Sequence, residues 1–137
     1  MGNRAVITTK KAWEFGEGLG VYIHWNGGRQ SVEAFLKYCD IMGFRAPEDD
    51  NYGWARLVQV IANFMGADGL SVGIDMLSNL DCNNGDNGTY LIEGWEHVRH
   101  VYDTPYEEDF DVEDMLCAID EAQPQDMHEK YCAYMNT

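Results

Sequence analysis

Basic residues are scarce in this chain: nine Lys and Arg stand against 24 Asp and Glu in 137 residues, a net charge of −15. Such a charge repels nucleic acid and anionic membrane surfaces, so direct binding to either is not expected, and it draws basic partners inward. Long apolar runs are also missing. None approaches the roughly 20 residues of a membrane-spanning helix. The opening MGNRAVITTKK has no apolar core of a secretory signal, and Val6 stands where a myristoylation motif wants Ser or Thr. The expectation is a soluble protein of the cytosol. The four cysteines, Cys39, Cys82, Cys117 and Cys132, are unevenly spaced with no C-x-x-C pair, which reads as reduced thiols rather than a disulfide framework. Cys39 and Cys117 fall within helical patterns and are expected in the core. There is no Walker-type lysine, no G-x-S-x-G and no H-E-x-x-H, so no catalytic residue, cofactor or metal is assigned.

Hydrophobic residues make up 45% of the chain, enough to fold one domain despite the charge. Arg4–Thr9 and Gly20–Trp25 read as strands that pair as a hairpin-like unit across a long glycine-rich loop, and Asn26-Gly27-Gly28 forms a turn. The period then becomes helical. Val32, Phe35, Leu36, Cys39 and Met42 share a face, with Ser31 as N-cap and Gly43 as stop. Trp54, Leu57, Val58, Ile61, Phe64 and Met65 line a second helix, capped by Asp50 or Asn51 and ended by Gly66. Residues 71–76 suit a strand or a turn, 81–88 a turn, and 89–93 and 95–102 two further strands. Asp111 caps a helix carrying Val112, Met115, Leu116 and Ile119, Pro124 breaks it, and a short helical tail covers 125–134. The predicted fold is a single α+β domain over 1–137: a small antiparallel sheet, two central amphipathic helices and an acidic C-terminal helix.

Local clusters with chemical potential each have a plainer explanation. Gly16-Glu17-Gly18-Leu19-Gly20 lacks the G-x-G-x-x-G spacing, and Glu17 would oppose phosphate. Asp81–Gly88 is rich in oxygen ligands, but no register places both the glycine and the bidentate glutamate of a calcium loop. Asn-Gly steps suit tight turns without an ion. His97 and His100, with Glu93 and Glu96 nearby, would point to opposite faces on a strand and be neighbours on a helix; no third zinc ligand can be placed, and two surface histidines are the plainer reading.

The charge is segregated. Residues 1–47 hold six Lys/Arg and four Asp/Glu, whereas residues 48–137 hold three and twenty, a net of −17. The region 103–129 has eleven acids and no Lys or Arg. Within it, Tyr102, Tyr106 and Phe110 interleave with Asp103, Glu107, Glu108, Asp109 and Asp111. Beyond them, Glu113, Asp114, Asp120 and Glu121 are expected to point away from the apolar stripe of their helix. Acids one turn apart are separated by ~5.4 Å along a helix axis, and DNA also presents closely spaced charges of one sign. This segment therefore suits a Lys/Arg-lined nucleic-acid channel, with the aromatics as anchors. The plainer alternative is a solvated face that keeps the chain soluble.

The acidic tail, together with Gly20–Gly28 (GVYIHWNGG) and Asp50–Leu57 (DNYGWARL), resembles the small acidic anti-defence proteins of phages and mobile elements. Anti-CRISPR and antirestriction inhibitors among them are often acidic DNA mimics. The resemblance implies a non-enzymatic inhibitor, in the host bacterial cytosol, that binds the basic nucleic-acid-binding cleft of a defence nuclease. An alternative from the same group is sequestration of a nucleotide signal, using Trp25, Arg29, Arg45, Trp54 and Arg56. A third is an enzyme built on His97 or His100. The apolar fraction also permits a homodimer.

Overall fold

The computed structural model describes residues 2–66, 71–103 and 111–137. Strands β1 (Ala5–Thr9), β2 (Leu19–Ile23), β3 (Val72–Met76), β4 (Thr89–Glu93) and β5 (Glu96–Val101) form one sheet in the order β3-β2-β1-β4-β5. Helices α1 (Lys10–Phe15), α2 (Arg29–Ile41), α3 (Asn51–Met65), α4 (Glu113–Glu121) and α5 (Gln125–Met135) complete an α+β domain. The sheet is mixed, not wholly antiparallel. β1 and β4 run parallel, with Ile7 opposite Tyr90, while the other pairs are antiparallel. The chain between β1 and β4, which includes α2 and α3, provides the long crossover that a parallel pair requires.

The connection between β1 and β2 is a short helix. Thr9 Oγ1 accepts from the Ala12 amide at 3.0 Å, and Gly16 at φ 86° closes the other end onto the Ala12 carbonyl. Six residues are too few to display a helical period, but both caps are written in the sequence. α2 begins two residues before Ser31, with Gly28 at its N-cap. Ser31 Oγ instead meets Asn26 Nδ2 at 3.3 Å. Gly27 is required by crowding, since a Cβ there would collide with the Asn3 carbonyl. α3 is capped by Asp50, whose Oδ1 accepts from the Tyr52 amide at 2.9 Å.

Strand alternation places Ala5, Ile7, Val21, Ile23, Tyr90 and Ile92 on one sheet face, where they pack with Val32, Phe35 and Leu36 of α2 and Leu57, Val60 and Ile61 of α3. Each buried Val, Leu, Ile or Phe among them contributes about 1.5–3 kcal/mol. The opposite face, with Val6, Thr8 and Leu91, is buried as well. Segment 77–88 lies against it: Leu80 reaches the space beside Gly20, and Thr89 Oγ1 donates to the Cys82 carbonyl at 2.9 Å. α4 packs on α2 and α3 through Leu116 and Ile119, and α5 packs on α4. Cys39 is buried as expected, but Cys117 is exposed because Leu116 and Ile119 take the inward stripe. No helix among the described residues is long and apolar enough to cross a membrane.

Candidate functional site

The acidic surface begins where β5 ends. Tyr102 (φ 59°) and Asp103 (φ 39°) both take left-handed backbone, which ends the extended run of β5. Tyr102 stays exposed with its ring edge-on to Trp13, centroids 6.0 Å apart. Asp103 is tied back, because its Oδ2 accepts from the Gly85 amide at 3.0 Å. Tyr106, Glu107, Glu108, Asp109 and Phe110 lie outside the described residues. Beyond them, the Asp111 carbonyl accepts from Gln30 Nε2 at 2.8 Å and Asp111 Oδ1 accepts from the Glu113 amide at 2.8 Å.

Along α4, Glu113, Asp114, Cys117, Ala118 and Glu121 are exposed. Asp114 and Glu121 are seven residues apart and so share a stripe about 10.5 Å long by helical rise. Among the described residues, no Lys, Arg or His lies within ion-pair distance of Asp111, Glu113, Asp114 or Glu121. Their field therefore projects into solvent. Asp111, Glu113 and Asp114 also stand at the positive end of the helix dipole, which favours the helix itself.

Asp120 does not belong to this surface. It was expected to point away from the core, but its side chain is only 13% exposed and meets His128 Nδ1 at 3.1 Å. The Tyr38 hydroxyl donates to its other oxygen at 2.7 Å. The apolar stripe predicted this poorly because α5 folds back over α4 and covers the flank on which Asp120 sits.

The five residues of the nucleotide alternative do not act as one set. Arg45 and Arg56 both approach the ring of Tyr52, at 5.3 and 6.0 Å from its centroid. Arg45 is also paired with Asp50 at 3.0 Å. Trp54 is buried in the core, Trp25 is exposed beside His24, and Arg29 pairs with Glu33 one turn along α2.

The two histidines correct a clear expectation. A bulge in β5 places Ile92 opposite His97 but Leu91 opposite Arg99, so Val98 is the extra residue. His97 and His100 thereby share the helix-facing side, half-buried, with both rings edge-on to Tyr90 at 4.9 and 4.5 Å. His97 lines a cleft of about 410 Å³ with Glu33, Trp95 and Glu96. His100 Nε2 lies 2.6 Å from the Asn87 carbonyl and so carries the proton. His97 Nε2 and His100 Nδ1 are shielded from solvent and have no hydrogen-bond partner among the described residues. Burial lowers both pKa values below the ordinary imidazole value. A nitrogen that solvent cannot reach is poorly placed to act on a substrate.

The oxygen-rich 81–88 turn spends its side chains internally. Buried Asn84 donates to the Asp81 and Gly88 carbonyls and accepts from the Asp86 and Gly88 amides, all at 3.0–3.1 Å. Asp86 takes the Arg4 guanidinium at 2.8 Å, and that bond lowers its pKa. Among the described residues, no group of three or more His, Cys, Asp or Glu side chains is placed to hold a metal ion. Comparison with known proteins finds no matching family model, no similar curated protein and no similar solved structure.

Proposed function

We propose that the chain is a non-enzymatic inhibitor of the anti-defence type, which occupies the basic nucleic-acid-binding cleft of a bacterial nuclease by charge mimicry. The observation that carries this reading is the unpaired state of Asp111, Glu113, Asp114 and Glu121 among the described residues. Four of the nine cations are paired elsewhere: Arg4 with Asp86, Arg29 with Glu33, Arg45 with Asp50 and Lys10 with Glu93. Asp103 and Asp111 are each anchored by hydrogen bonds, so the two ends of the acidic segment are held at fixed points on the domain. Tyr102 adds an exposed aromatic beside it.

The test is capture from a bacterial lysate on immobilised protein, followed by displacement with duplex DNA. The expected captive is a nucleic-acid-binding protein that DNA and high salt both release. The triple variant Glu113→Lys, Asp114→Lys, Glu121→Lys should capture none of it. Equal capture by that variant would overturn the reading.

The nucleotide alternative draws on one observation, the exposed Tyr52 ring between Arg45 and Arg56. A planar anion could stack there. A thermal shift with cyclic nucleotides that disappears in Arg56→Ala would favour it; no shift is expected under the main reading.

A further inference from the structure

β3 is the end strand of the sheet, and among the described residues only β2 pairs with it. Its ladder fixes which backbone groups are free. His24 N donates to the Ser71 carbonyl and Leu77 N to the Gly18 carbonyl. In an antiparallel pair these bonds recur at every second residue. Gly73 and Asp75 therefore bond inward to Tyr22 and Gly20, while Val72, Ile74 and Met76 direct their amides and carbonyls outward. The Met76 amide is satisfied by the Asp75 carboxylate at 2.7 Å, which shields that end of the edge. The outward groups of Val72 and Ile74 have no partner of this kind among the described residues.

The two sides of this edge differ chemically. On the helix-facing side, Ile74 and Met76 are 46% and 39% exposed, and Met76 is paired with half-buried Leu19. On the other side lies a groove of about 370 Å³ lined by Tyr22, Gly73, Asn79, Leu80 and the two carboxylates of Asp75 and Asp81; Asp75 also accepts from Asn79 Nδ2 at 3.2 Å, and Asp81 lies 3.9 Å from the Arg4 guanidinium. Nothing lies within 4 Å of where a Cβ on Gly73 would sit, so a neighbouring side chain has room there. A strand laid against β3 would thus present alternate residues to an apolar strip and to a groove that carries the Asp75 and Asp81 carboxylates.

We propose that the outer edge of β3 receives an extended segment of a partner protein in which apolar residues alternate with lysine or arginine, adding a sixth strand to the sheet. The local charge selects this occupant over a second copy. Two copies would bring Asp75 and Asp81 of each chain together, with −15 on each chain. The proposal shares with the functional reading only the basic character of the partner, and it uses a surface distinct from α4.

The probe is a capped eight-residue peptide alternating valine and lysine, titrated into the isotope-labelled full chain and followed by amide chemical shifts. The amides of Val72 and Ile74 should move and gain exchange protection. A peptide N-methylated at every second residue keeps its charge but cannot pair, and should bind at least about tenfold more weakly. Ile74→Pro removes an outward donor that the β2 ladder does not use, and should weaken binding to a similar degree. If that variant misfolds, the N-methylated peptide on the unaltered chain still decides. Equal binding of both peptides, shifts on α4 instead of β3, or a β3-paired dimer in sedimentation without peptide would each overturn the proposal. Failure here with α4 charge reversal still abolishing capture would leave the functional reading intact.

Discussion

The Tyr38 hydroxyl donates to Asp120 Oδ1 at 2.7 Å across the junction of α2 and α4, and His128 of α5 meets the other oxygen of the same carboxylate at 3.1 Å. Asp120 thus joins three helices, whereas Asp114 of the same helix is exposed and unpaired among the described residues. Burial and the donated bond together raise the Tyr38 phenol well above its ordinary value, so it remains a donor across the useful pH range. Asp120→Ala should therefore cost about 1–3 kcal/mol by leaving a buried hydroxyl without its acceptor. Asp114→Ala should change stability by no more than about 0.5 kcal/mol. Urea unfolding of the two variants checks both values.

The paired histidines make folding sensitive to mild acid. Protonating His97 or His100 would charge a ring whose burial is the largest influence on it and outweighs the nearby backbone acceptors of Arg99, Asp103 and Tyr102. The surrounding charges are Glu33 and Arg29 of α2 near His97, and Asp103 near His100. Their folded pKa values are lowered, so the unfolded chain binds more protons as pH falls. The stability contribution of the neutral rings is complete above the unfolded value of about 6.5 and is lost as pH falls from there through the folded values. The slope is at most about 1.4 kcal/mol per pH unit for each histidine. Denaturation midpoints should fall below pH ~6.5 in the native chain, and less so in His97→Gln/His100→Gln. An unchanged profile in that variant would rule out this origin.

Much of the fold was legible in the sequence, and the misses share a cause. The helical faces of α2 and α3 were visible because their apolar period runs for more than ten residues. The parallel β1–β4 pair is not visible there, since strand partners 83 residues apart, such as Ile7 and Tyr90, leave no local pattern. Unbroken strand alternation sends the histidines to opposite faces, and one inserted residue, Val98, brings them to the same one. The helical period alone places Asp120 on the surface, because it cannot reveal a later helix folding over it. The polar stretch 81–88 was correctly read as a turn, but its buried hub, Asn84, was not distinguishable from its polar neighbours.

Asn84 accordingly has a strong expectation attached. It is 4% exposed, and it supplies two donors and an acceptor that no aliphatic residue can replace. The turn it organises covers the second face of the sheet and presents Asp86 to Arg4. Asn84→Ala should cost about 2–4 kcal/mol, the loss of several buried bonds in one network. Asn84→Asp preserves the acceptors but places oxygen opposite the Asp81 and Gly88 carbonyls, and should be no milder. Thermal unfolding of both variants tests this. A loss confined to a few tenths of a kcal/mol would mean that the turn closes without its side-chain hub.

The unpaired carboxylates of α4 make a kinetic prediction that a structural role would not. Charges on exposed side chains act over about 10 Å at 0.1 M salt and about 3 Å at 1 M. They therefore accelerate encounter with a basic cleft more than they hold the complex together. Asp114→Lys with Glu121→Lys should lower the association rate with the captured partner by about tenfold or more at low salt, and change the dissociation rate far less. At high salt the native and variant association rates should converge. Asp120→Asn, which alters a carboxylate held inside the helical layer, should leave the association rate near its native value. Surface plasmon resonance across a salt series separates these outcomes. An association rate indifferent to Asp114 and Glu121 at every salt concentration would show that their field plays no part in recognition, and would return the acidic face to a role in solubility alone.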